Sequence, residues 1–69
     1  MNINLFEFET GFDLEVDKDF YDEEYGHNRF QITNDMSLME IGKILNEFNE
    51  KYGRKIVPEV RENKVYIYL

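Results

Sequence analysis

Carboxylates are the one reactive group this chain gathers in quantity. Nine of its fifteen acidic residues fall between residues 7 and 24: Glu7, Glu9, Asp13, Glu15, Asp17, Asp19, Asp22, Glu23 and Glu24, against the single cation Lys18. Such a set can move protons, hold a divalent ion, or offer counter-charges to a cationic surface. Proton transfer needs an enclosed pocket that shifts a carboxyl pKa towards the working pH, and a 69-residue chain offers no obvious one. A calcium loop opening at Asp17-x-Asp19 needs Asp or Asn at its fifth place, Gly at its sixth and Glu at its twelfth. Those places hold Tyr21, Asp22 and Asn28. No EF-hand is expected.

His27 is the single histidine and there is no cysteine, so a zinc site lacks its usual ligands. Ser37 has no histidine context and serves better as a helix cap. Gly11, Gly26, Gly42 and Gly53 are scattered and build no phosphate loop. No enzyme activity, cofactor or metal is expected. What remains is the field: residues 1–28 hold nine acids against one lysine, residues 29–69 six acids against seven cations. Segregated charge selects partners of opposite sign. Simple solubility is the plainer explanation, since a net charge of −7 keeps a small domain dispersed.

The elements that position these residues read as strands around one helix. Phe12, Leu14 and Val16 alternate with Asp13, Glu15 and Asp17, the period of a half-buried strand. Phe6 and Phe8 alternate with Glu7 and Glu9, while Ile3 and Leu5 fall on the other parity, which implies a bulge or a late entry. A three-residue loop, Thr10-Gly11-Phe12, would pair Phe8 with Leu14 and Phe6 with Val16. Glu9 would then face Asp13, and Glu7 would face Glu15, on one acidic strip. Residues 18–28 read as an acidic, aromatic connection with room for a helical turn before Gly26, and 29–33 as a third strand.

Ser37-x-x-Glu40 is a capping box. Leu38, Ile41, Ile44, Leu45, Phe48 and Tyr52 follow at helical spacing, and Gly53 suits the C-terminal end, so an amphipathic helix is expected over 37–52. A turn at Glu62-Asn63 sets Val60 against Val65 and continues Pro58 against Ile67 and Ile56 against Leu69. The order β-β-β-α-β-β gives a single α+β domain over 1–69. Its antiparallel sheet has about five strands, with the helix across one face.

Six Phe and five Tyr must supply most of a core that no disulfide can assist. No apolar run reaches the ~20 residues of a membrane span, and the first residues lack a basic signal-peptide start. A cytoplasmic setting is expected, that of the host cell if the protein is viral. A sequence pI near 4.5 argues against direct nucleic-acid or anionic-membrane binding.

Gly53-Arg-Lys-Ile-Val-Pro-Glu-Val, then Lys64-Val-Tyr-Ile-Tyr-Leu, behind an amphipathic helix, resembles the helix-then-hairpin half of secretin and TonB-type N-terminal modules. It spans under half the chain. The small, acidic, single-domain character is similar to that of phage-encoded inhibitors, including DNA-mimic anti-restriction and anti-CRISPR proteins, a likeness of type that carries no residues over. The expected function is therefore an inhibitor occupying a basic nucleic-acid-binding surface of a larger protein. Glu7, Glu9, Asp13, Glu15, Asp17, Asp22, Glu23 and Glu24 would supply the charges and Tyr21 an aromatic anchor. The alternative is an interaction module or homodimer that docks through a sheet face or edge strand, motivated by the ladder Val57, Tyr66 and Tyr68.

Overall fold

Gly11 decides how the chain begins. Its φ of 72° is left-handed, and its N–H donates to the Glu7 carbonyl at 2.7 Å, so it ends a helix instead of turning a hairpin. The computed structural model of the chain describes residues 3–24 and 26–69, with all of their side chains except those of 3–5. Helix α1 is Ile3–Thr10. Phe6 and Thr10, one turn apart, are both buried, whereas Phe8 is 86% exposed. The expected first strand, its loop and its pairings of Phe8 with Leu14 and Phe6 with Val16 are therefore corrected. Ile3 and Leu5 are out of parity with Phe6 and Phe8 because the segment is helical. The Ile3 and Leu5 side chains themselves lie outside the described residues.

The sheet has four strands: β1 Leu14–Asp22, β2 His27–Ile32, β3 Glu59–Arg61 and β4 Lys64–Tyr68. All pairs are antiparallel and the spatial order is β1-β2-β4-β3. The strand expected at 29–33 is present, shifted slightly towards the N-terminus. The stretch 18–28 is largely strand, not connection: 18–22 belong to β1 and 27–28 to β2, with turn at Glu23, Glu24 and Gly26. Gly26, with φ 66°, donates to the Asp22 carbonyl at 2.7 Å and closes that turn. Tyr25, expected as an aromatic of this segment, lies outside the described residues.

Helix α2, Leu38–Tyr52, forms as its sequence dictates. The Ser37 Oγ accepts from the Glu40 N–H at 3.2 Å and donates to Glu40 Oε1 at 3.1 Å. Gly53, at φ 64°, sends its N–H to the Asn49 carbonyl. Beyond it, the Asn49 side chain donates to the Ile56 carbonyl at 2.7 Å and accepts from the Ile56 N–H at 3.0 Å. That clasp occupies the segment expected to extend the last hairpin, so β3 begins after Pro58. The hairpin keeps its expected register, Val60 with Val65 and Arg61 with Lys64. Glu62 and Asn63, at φ 50° and 66°, make the turn.

Partners across an antiparallel pair share a face. Leu14, Phe30, Ile32, Val65 and Ile67 thus point to one side, where they meet Phe6, Phe12, Ile41, Leu45 and Phe48 in the core. Phe6 packs edge-on to Phe48 at 4.7 Å between ring centres. Both helices cover this side. The other side is open.

Candidate functional site: the open sheet face and its acidic edge

Four residues of β1 stand opposite one residue of β2. Val16 pairs with Phe30 and Tyr21 with Asn28, so residues 17–20 bulge around Arg29. Asp17 at one end of the bulge and Phe20 at the other both turn onto the open face. Asp17 Oδ2 accepts from Arg29 Nε at 3.0 Å and from Nη2 at 2.5 Å. The guanidinium carbon lies 4.3 Å from the Phe20 ring centre and 4.6 Å from that of Tyr66. Arg29 is thus held between two rings and a carboxylate, an arrangement strengthened by its partial burial.

The hydrogen bond from Arg29 holds the Asp17 carboxyl below its usual range, with partial desolvation opposing. Tyr68 meets Phe20 edge-on at 5.5 Å, and its hydroxyl donates to Glu59 Oε1 at 2.8 Å. Burial first, then that bond to a carboxylate, pushes the Tyr68 phenol up. Arg61 Nε also reaches Glu59 Oε1, at 2.7 Å. Phe20, His27, Lys55, Val57, Arg61 and Tyr68 are among the residues around an open cleft of about 400 Å³ at this end of the face.

The acidic strip expected on one β-ribbon does not form. Glu7 and Glu9 sit on α1, away from Asp13 and Glu15, because the segment carrying them is helical. Glu9 Oε2 accepts from Lys51 Nζ at 2.9 Å, and that bond holds its carboxyl below the usual range. Asp17 is engaged by Arg29. Tyr21, 59% exposed, shares the helix side of the sheet with its partner Asn28 and stands at the uncovered edge. Asp22 ends β1, and its Oδ1 accepts from the Glu24 N–H at 3.0 Å.

What the structure does bring together is a border. β1 is an outer strand, and Asp13, Glu15, Asp19, Glu23 and Glu24 are exposed along it and its turn. Among the described residues none of these five has a lysine or arginine at ion-pair distance. Also among the described residues, no three His, Asp or Glu side chains are grouped to hold a metal ion. No described helix is long and apolar enough to cross a membrane.

Sequence reasoning missed the Arg29 cluster. Arg29 is only the first residue of the strand expected at 29–33, and its partners lie 9 to 39 positions away in the sequence, at Phe20, Asp17, Tyr66 and Tyr68. The one local hint was that Phe30 and Ile32, on the parity opposite to Arg29, are apolar. Compared with known protein families, curated proteins and solved structures, the chain shows no match.

Proposed function

We infer that this protein is a small stoichiometric binder whose acidic border docks on a cationic, nucleic-acid-binding surface of a larger protein and blocks it. The observation that carries this is the run of exposed carboxylates at Asp13, Glu15, Asp19, Glu23 and Glu24 along the outer strand β1 and its turn, with no lysine or arginine at ion-pair distance among the described residues. Asp17 and Asp22 add to the field without being available as free ligands. Glu7 and Glu9 leave the footprint. Exposed Tyr21 on the same edge is the aromatic anchor.

Magnitudes limit the likeness to nucleic acid. β1 rises roughly 3.4 Å per residue and carries Glu15, Asp17, Asp19 and Asp22 against Lys18 in nine residues. A nucleic-acid strand places one phosphate per ~3.4 Å of axis, so the border has about a third of that net charge density. It suits a groove whose basic side chains are spaced, and it speeds association by matching potentials. The absence of cysteine fits a reducing cytoplasm, that of the host if the protein is viral.

The test is binding of the chain to an immobilised arginine-rich peptide, compared with Asp19→Lys/Glu23→Lys/Glu24→Lys. The wild type binds at low salt and weakens steeply as salt rises, while the variant loses at least about tenfold in affinity. Equal affinity of the two proteins at low salt sinks the proposal.

A further inference from the structure

We propose that the cleft at the end of the open face binds an aromatic carboxylate, its ring against Tyr68 and Val57 and its charge on Lys55. The clasp in which Asn49 holds the N–H and C=O of Ile56 makes the opening. The register of the last hairpin would bring Val57 beside Tyr68, but pairing stops at Glu59 with Tyr66. Ile56 turns into the core and leaves its neighbours Lys55 and Val57 exposed. Val57 and Tyr68 both line the cleft, where their pair would have closed.

The apolar wall is already in place. The Tyr68 hydroxyl donates to Glu59 at 2.8 Å and its ring meets Phe20 edge-on at 5.5 Å, so a ligand's ring finds a fixed partner. Val57, 72% exposed, adds aliphatic surface that the core does not use. Backbone groups stand beside them. Asn28 exchanges both of its backbone bonds with Leu69, so by alternation the N–H and C=O of Tyr68 turn the other way, past the end of β3. An amide next to the ligand's carboxylate would meet them there.

Charge decides the sign. Glu59 takes both Arg61 and Tyr68 on Oε1, and Asp22 and His27 each have a partner. Lys55 lines the same cleft with no hydrogen bond or ion pair among the described residues. An anion is thus favoured over an amine, and salt screens the rest of the −7 beyond about 10 Å. The cleft, about 400 Å³, is near the lower end of small-ligand sites, so a Kd on the order of 1 mM is expected. None of the groups holding the ligand belongs to the acidic border, so the two proposals stand or fall separately.

The test titrates N-acetyl-phenylalanine into the whole chain and follows amide shifts by NMR. Saturating shifts are expected on residues 55–59 and on Tyr68; none up to about 10 mM, or shifts confined to 38–52, overturn the proposal. N-acetyl-phenylalaninamide, which lacks the charge, and phenethylammonium, which reverses it, should each bind at least about threefold more weakly. Equal or tighter binding of either overturns it too. Lys55→Gln should weaken the acid by about threefold, whereas Lys43→Gln, the same change of net charge on exposed α2 surface, should not. Equal effects of the two variants would remove Lys55 from the site and sink the proposal. Phenylacetate, which has no amide, separates the sources: weaker binding than N-acetyl-phenylalanine marks the carboxyl end of a peptide, equal binding a free aromatic acid. Either result supports the aromatic carboxylate.

Discussion

Asp17 receives two N–H groups of Arg29 on one oxygen, Oδ2, at 3.0 and 2.5 Å, across the point where β1 bulges from β2. The contact fastens the one stretch of β1 that has no ladder partner of its own. Phe20 and Tyr66 close over the same guanidinium.

Replacing Arg29 with Met should therefore loosen β1 locally before it destabilises the domain. Hydrogen exchange at residues 17–22 should quicken by about tenfold, with residues 41–48 much less affected. Uniform acceleration across the chain would show that the arginine is a global rather than a local fastener.

Acid should release the same contact. The Asp17 carboxyl lies below its ordinary value of ~3.9, so the pair's contribution is fully present above that value and is lost as pH falls through the depressed one. Glu9, lowered by Lys51, acts in the same direction, its contribution lost as pH falls below its own ordinary ~4.3 and through the depressed value. Thermal midpoints recorded from pH 6 down to pH 2 should fall, and Asp17→Asn should flatten part of that fall. An identical slope in the variant would remove Asp17 from the account.

Phe6 and Phe8 separate helix from strand at the N-terminus. In a strand the two would share a face; in α1 one is 2% and the other 86% exposed. Phe6→Ala should cost about 3–5 kcal/mol by chemical denaturation, and Phe8→Ala no more than about 0.5. Equal losses would restore the hairpin.

The caps of α2 offer a fourth measurement. Ser37→Ala removes the acceptor of the Glu40 N–H and should cost about 1 kcal/mol. Gly53→Ala meets no neighbouring atom within 4 Å, so any loss, roughly 1–2 kcal/mol, reflects the left-handed φ of 64° alone. A neutral Gly53→Ala would mean that this end of the helix re-forms differently.

Helix α2 and the last hairpin were readable in the sequence because several local signals agreed there. Ser37, Glu40 and Gly53 bracket a clear helical period, and Glu62-Asn63 is the only turn that aligns Val60 with Val65. α1 was not readable. Eight residues with Phe at 6 and 8 satisfy an alternating pattern, and Thr10-Gly11 suits a hairpin as well as a helix end. The extent of β1 was hidden by its acids and by the bulge, which breaks alternation between Val16 and Tyr21. Within the site, the clustering of acids near β1 was visible, but their neutralisation was not. Lys51 is 42 positions from Glu9 and Arg29 is 12 from Asp17, contacts that only tertiary folding creates.

The bulge at residues 17–20 has one further effect. A border that bellies outward and bristles with charge cannot lie flush against another chain's backbone, so the longest strand of this protein is a poor template for fibril growth. A variant trimmed to a straight ribbon there, with Lys18 and Asp19 made apolar, would lose that protection and gain a tendency to stack into amyloid.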